Sequence, residues 1–102
     1  MKAAITAIGG YVPEYVLTNA ELETMVETND EWITTRTGIK ERRILKPEEG
    51  RGASYLAIKA VEAMKEEYGV SVEDVDLVIL ASVTGYMPVA ITSAYIAQEI
   101  GA

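Results

Sequence analysis

From Val75 to Val83 the chain reads VDLVILASV, a run dominated by apolar residues and without the every-other-residue alternation of a half-buried strand. A run like this suits a strand covered on both faces, the usual state of strands in a parallel sheet. It therefore asks for helices on both sides. A helix does precede it. Over Ala53–Tyr68 the apolar positions Ala53, Leu56, Ala57, Ala60, Val61, Met64 and Tyr68 step by three and four, marking one face of about four turns that Gly69 ends.

The rest of the chain fits the same pattern. Ala3–Ile8 is a short apolar run with β-branched residues and reads as a buried strand closed by a turn at Gly9-Gly10. The paired glycines lack the spacing of a dinucleotide fingerprint. Thr18-Asn19 can cap a helix over Ala20–Val26, and Asn29 can cap a second of about two turns that Gly38 stops. Ile39–Leu45 is polar in its middle and apolar at its ends, as in an exposed strand or extended arm, and Pro47–Gly52 is a loop. Val70–Asp74 can turn, Thr84–Pro88 is loop, and Ile91–Ile100 is a helix rich in small residues that let it lie close to another backbone. The order predicts an α/β fold with a crossover and a mostly parallel sheet, and no internal domain boundary. Only two strongly apolar strands are visible, so the domain reads as incomplete.

Composition removes many functions. In 102 residues there is no cysteine and no histidine, so thiolate nucleophiles, cysteine metal sites and the usual neutral-pH acid/base group are all missing. No window approaches the roughly 20 apolar residues of a membrane helix, and the N-terminus lacks a secretory pattern, which predicts a cytoplasmic location. The net charge of −7 argues against nucleic-acid binding. Its distribution is uneven: residues 36–51 carry six bases and three acids, a local balance of +3 in an otherwise acidic chain.

That positive stretch begins next to the one tryptophan. Trp32 and Arg36 are four apart and share a helix face, with Thr28 just before the same turn. Together they suit a flat, negatively charged ligand, because an indole stacks on a base, a guanidinium pairs with phosphate and a hydroxyl reaches a base edge. On spacing alone the commoner alternative stays open, with Trp32 packed in a core and Arg36 against a carboxylate. Lys40, Arg42, Arg43 and Lys46 could steer an anionic partner or simply form a solvated face. The adjacent acids Asp30-Glu31 and Glu48-Glu49 read as capping or solubility residues, and Ser82 and Ser93 have no nearby base in sequence.

The segment TNAELETMVETNDEWITTRTGIKERRI, preceded by GxYxP and followed through the long helix by DLVILASVT, resembles the N-terminal region of the β-ketoacyl-acyl-carrier-protein synthase III family. The resemblance covers the whole chain. It implies an incomplete thiolase-like domain, part of an αβαβα architecture, truncated before the catalytic cysteine strand. It also implies an acyltransferase that condenses an acyl-CoA primer with malonyl-acyl-carrier protein to initiate fatty-acid synthesis, working as a homo-oligomer, with coenzyme A thioester as substrate rather than a retained cofactor. By this resemblance Trp32 stacks on the adenine of coenzyme A, Arg36 reaches its nucleotide part and Thr28 contacts the adenine. The family's catalytic cysteine, histidine and asparagine have no counterpart here, nor does the later arginine on the second adenine face, so no catalytic residue and no metal site are assigned. Val89-Ala90 stand where the family often has a phenylalanine-proline pair near the dimer contact. Two other readings are carried: a self-associating structural module, and a piece of a related condensing enzyme of specialised metabolism.

Overall fold

A computed structural model describes residues 1–46, 52–83 and 92–102. The expected loops at Pro47–Gly52 and Thr84–Pro88, the start of the last helix at Ile91, and the Val89-Ala90 departure fall wholly or largely outside them. The described residues form two compact regions, one from residues 12–46 and one from residues 1–11, 52–83 and 92–102.

In the first region, strand β1 (Val16–Thr18) pairs antiparallel with β2 (Glu41–Arg43), in the register Val16 to Arg43, Leu17 to Arg42 and Thr18 to Glu41. Between them lie helix α1 (Asn19–Glu23) and helix α2 (Asp30–Thr37). Thr18 caps α1 by accepting the Glu21 amide. This helix is shorter than Ala20–Val26. The Thr24 hydroxyl and amide both return to the Glu21 carbonyl, at 2.6 and 3.0 Å, which tightens the last turn and ends it. Helix α2 follows its sequence signals closely. The Asn29 side chain accepts the Trp32 amide at 2.8 Å, and Gly38 takes the left-handed conformation at φ 73° while its amide closes on Thr34.

In the second region, α3 (Ala53–Tyr68) and α4 (Thr92–Ile100) pack together over a core of Val72, Ile96 and Ile100, with Val61, Met64 and Leu80 against it. Gly69 ends α3 at φ 64°, as the sequence indicates. Beyond α4, Gly101 is left-handed and the Ala102 amide bonds back to Ala97, while Lys65 Nζ donates to the Ile100 carbonyl at 3.2 Å. Gly9 lies so near α3 that a Cβ on it would stand 2.6 Å from Met64 Cβ and 2.8 Å from the Ala60 carbonyl oxygen. The sequence reads this glycine as a turn residue. Its structural need is close approach to a helix.

The parallel sheet is not found among the described residues, whose only sheet is the antiparallel β1–β2 pair. Neither Ala3–Ile8 nor Val75–Val83 forms a ladder, because a strand exists only through a partner and none is described for either run. Burial differs from expectation too. Ile5 and Ile8 are exposed, and within the second run Val78 and Leu80 are half-buried while Leu77 and Ile79 are 73% and 82% exposed. One face of the run is covered by its own region and the other is bare. The small residues Ser93, Ala94 and Ala97 of α4 stand across a hollow of about 310 Å³ from Val75 to Val78.

Candidate functional site

Helix α2 presents Trp32 and Arg36 on one face, as their spacing requires, and the guanidinium carbon of Arg36 lies 4.7 Å from the indole centroid. The contact is a cation–π stack, worth roughly 0.5–1 kcal/mol at an exposed site. Trp32 is 53% exposed within this chain, not packed in its core. Arg36 forms no ion pair among the described residues, so it does not serve as a partner for a carboxylate there.

Two hollows meet at Trp32. The first, of about 480 Å³, is lined by Leu22, Val26, Glu27, Thr28, Asn29, Trp32 and Ile33, and so lies between α1 and the start of α2. The second, of about 470 Å³, is lined by Asn29, Glu31, Trp32, Thr35 and Arg36. Thr28 and Arg36 therefore both neighbour Trp32, but they line different hollows. The apolar wall of Leu22 and Val26 was not singled out from the sequence, and the sign of it was available: both are the apolar positions of the segment just before the tryptophan helix.

The basic run is used partly within the fold. Arg42 donates to the Leu17 carbonyl at 3.1 Å and to Asn19 Oδ1 at 2.7 Å, Arg43 donates to the Pro13 carbonyl at 2.9 Å, and Lys46 Nζ sits 4.0 Å from the Tyr15 ring centroid. Arg42 thus ties β2 to β1 and α1, while Arg43 and Lys46 reach the segment that leads into β1. Arg42 and Lys46 are half-buried in these contacts, whereas Arg36, Lys40 and Arg43 are exposed, so the run is part internal wiring and part solvated face.

Sequence reasoning took Asn19 with Thr18 as part of a helix cap, whereas Thr18 alone is the cap and Asn19 is a buried hub inside the helix. It is 2% exposed and donates its amide to Asp30 Oδ1 at 2.7 Å, to the Ile39 carbonyl at 2.9 Å and, more weakly, to Thr34 Oγ1 at 3.4 Å. Hydrogen bonds from Asn19 and then from Thr34, with the Lys40 charge adding, hold the Asp30 carboxyl below its usual range against a small opposing effect of burial. The signal was faint. Thr18 already supplies the cap, so an asparagine in the next position, inside the helix, has no local reason to be there.

No family model matches the chain. A β-ketoacyl-[acyl-carrier-protein] synthase III of Azobacteroides pseudotrichonymphae is 54% identical over 101 residues, which are 99% of this chain and 30% of the relative. The solved structure of a synthase III from Thermus thermophilus superposes with a TM-score of 0.88 at 44% identity, covering 97% of this chain and 30% of that one. The chain belongs to the β-ketoacyl-[acyl-carrier-protein] synthase III family. It corresponds to an N-terminal part and spans about 30% of the length of the synthase III relatives it matches. A priming β-ketosynthase of the R1128 polyketide pathway also superposes, with a TM-score of 0.82 at 34% identity, covering 93% of this chain and 28% of that one. Likeness to synthase III structures places the chain in the α/β thiolase-like class. No group of acidic residues among those described could hold a metal ion, and no described helix is long and apolar enough to cross a membrane.

Proposed function

We propose that this chain supplies the nucleotide-facing part of a coenzyme A entrance in an acyltransferase that condenses an acyl-CoA primer with malonyl-acyl-carrier protein to begin fatty-acid synthesis. The observation that carries this reading is the half-exposed Trp32, with the Arg36 guanidinium 4.7 Å from its ring and Thr28 on the neighbouring hollow. An indole surface of this kind can take an adenine, with base–aromatic stacking worth about 1–3 kcal/mol. The guanidinium offers paired donors to phosphate oxygens, and the Thr28 hydroxyl can bond a ring edge.

The chain itself carries no group for acyl transfer. A thioester exchange needs a thiolate nucleophile and a proton-transfer partner, and there is neither cysteine nor histidine in the sequence. By the family resemblance those groups stand elsewhere in the longer enzyme, and the 102-residue chain turns over nothing. In that longer protein the Ala3–Ile8 and Val75–Val83 runs join a mostly parallel sheet, and the bare Leu77 and Ile79 face receives a further layer. Acyl-carrier protein and a second copy of the enzyme are its partners, its location is cytoplasmic, and neither nucleic acid nor membrane is engaged.

The direct test is calorimetric titration of the chain with coenzyme A, beside Trp32→Ala. Loss of one stacked base predicts an affinity drop of about tenfold or more. Unchanged affinity in Trp32→Ala would end the stacking role. The likeness to a polyketide priming β-ketosynthase favours one second reading, a condensing enzyme of specialised metabolism that uses the same entrance for other acyl-CoA primers. The product assayed with the longer enzyme separates the two: support of fatty-acid synthesis from acetyl-CoA or a related short acyl primer fits the first, and failure to prime it with any of these the second.

A further inference from the structure

The Asn19 carboxamide sits where four segments meet. It is the first residue of α1, it reaches Asp30 and Thr34 of α2, it donates to the Ile39 carbonyl in the link to β2, and its Oδ1 accepts from Arg42 Nη2 of β2 at 2.7 Å. Its backbone amide adds a bond to the Lys40 carbonyl at 3.1 Å. A carboxamide has two N–H donors on one side and an acceptor oxygen on the other. Here the donors face a carboxylate and a carbonyl and the acceptor faces a guanidinium, so only one orientation of the amide satisfies its neighbours. No smaller set of atoms would do this. An aspartate would set a carboxylate against Asp30 and the Ile39 carbonyl, and a leucine would take a donor from each of them and an acceptor from Arg42, leaving Asp30 with Thr34 and Arg42 with the Leu17 carbonyl.

The consequence lies one turn further on. Leu22, three residues after Asn19, and Val26 form the apolar wall of the first hollow, whereas Trp32 on α2 forms the opposite side. The width of that hollow is the gap between α1 and α2. A second tie between the helices exists, the Asp30 amide donating to Glu23 Oε1 at 2.7 Å, but Glu23 is exposed and competes with water. We infer that Asn19 is a positioning residue for the Trp32 surface: its buried carboxamide fixes the spacing of α1 and α2, and so the width of the hollow into which a planar ligand on Trp32 would fit. The ligand consequence rests on the coenzyme A reading; the geometric one does not.

Because Trp32 is the only tryptophan, its signals report this site alone. The experiment compares the 102-residue chain with Asn19→Asp and with the double variant Asn19→Asp/Asp30→Asn. Far-UV circular dichroism gives helix content, near-UV dichroism and acrylamide quenching give the Trp32 environment, and fluorescence titration gives coenzyme A affinity. In Asn19→Asp the facing carboxylates repel, so the Trp32 near-UV band weakens, quenching rises and affinity falls about tenfold, with helix content kept. The double variant exchanges the two groups, letting the carboxylate at position 19 accept from the amide at position 30 and still from Arg42. It restores part of both signals, because the Ile39 carbonyl then faces a carboxylate oxygen rather than an amide donor. A folded Asn19→Asp chain with parental quenching and affinity overturns the inference. If that variant does not fold, the double variant decides, since recovery of the Trp32 signals upholds the role and any other outcome ends it. Absence of coenzyme A binding by the parent chain defeats the functional reading only, and the Trp32 band and quenching still decide the role of Asn19.

Discussion

The region from residues 12–46 and the region built on α3 and α4 are held by different forces. The first has two three-residue strands and short helices, and Ile33 is the sole buried apolar side chain described there; its centre is the Asn19 carboxamide with Asp30, Ile39 and Arg42 around it. The second has long helices closing on Val72, Ile96 and Ile100. Hydrogen bonds are directional and fail when an atom is missing or reversed, whereas apolar packing scales with area and tolerates changes of shape. The polar region is therefore suited to fixing the orientation of an exposed indole, and the apolar one to supplying most of the burial.

If that division holds, the largest loss of stability comes from the apolar side. Ile96 is 3% exposed, and Ile96→Ala removes its transfer energy and leaves a cavity, a cost of about 2–5 kcal/mol. Urea unfolding should show the shift in midpoint with the Trp32 near-UV band of the folded baseline unaltered. A change in that band before unfolding would break the proposed separation of roles. Next in size is Gly9→Ala. The atoms a methyl group would strike are Met64 Cβ and the Ala60 carbonyl oxygen, both fixed to the α3 backbone, so neither can swing aside. Overpacking of this kind costs about 1–3 kcal/mol, while Gly10→Ala, with nothing within 4 Å, serves as the control. Equal effects at the two positions would show that close approach is not what Gly9 provides.

What could be read beforehand follows the same division. Helix α3 and its Gly69 stop were legible because the pattern that makes them is local and repeats every three or four residues. Helix α2 was legible from the Asn29 cap and Gly38, and the meeting of Trp32 with Arg36 followed from helical spacing alone. The Asn19 hub was not, since its partners lie 11 to 23 residues away and no periodicity links them. The pair β1 and β2 was only half legible: Ile39–Leu45 reads as an extended arm, but Val16–Thr18 has no alternation long enough to mark a strand. The apolar runs at Ala3–Ile8 and Val75–Val83 show the opposite case. Composition reports a tendency to be buried as strands, yet a ladder and a covered face depend on a partner that composition cannot supply.

The smallest effect belongs to the polar region and is a matter of pH. Asp30 is held below its usual range chiefly by the Asn19 amide, then by Thr34 and the charge of Lys40. Between that lowered value and the ordinary one, the unfolded chain binds a proton that the folded chain does not, so stability rises with pH through the interval. The contribution is complete above the ordinary carboxylate range and disappears as pH falls through the lowered folded value. Water screens an exposed carboxylate, which keeps the effect below those of the two packing variants. Unfolding midpoints of the parent chain and of Asp30→Asn, followed from about pH 6 down to about pH 2, should differ most at the upper end and draw together in acid. The variant keeps the size of the side chain but offers Asn19 a mixed donor and acceptor in place of two acceptors, so a difference that stayed constant across the whole range would mean that shape, not charge, is what Asp30 contributes. In that event the hub would act as packing like the α3–α4 core, and the contrast between the two regions would lose its physical basis.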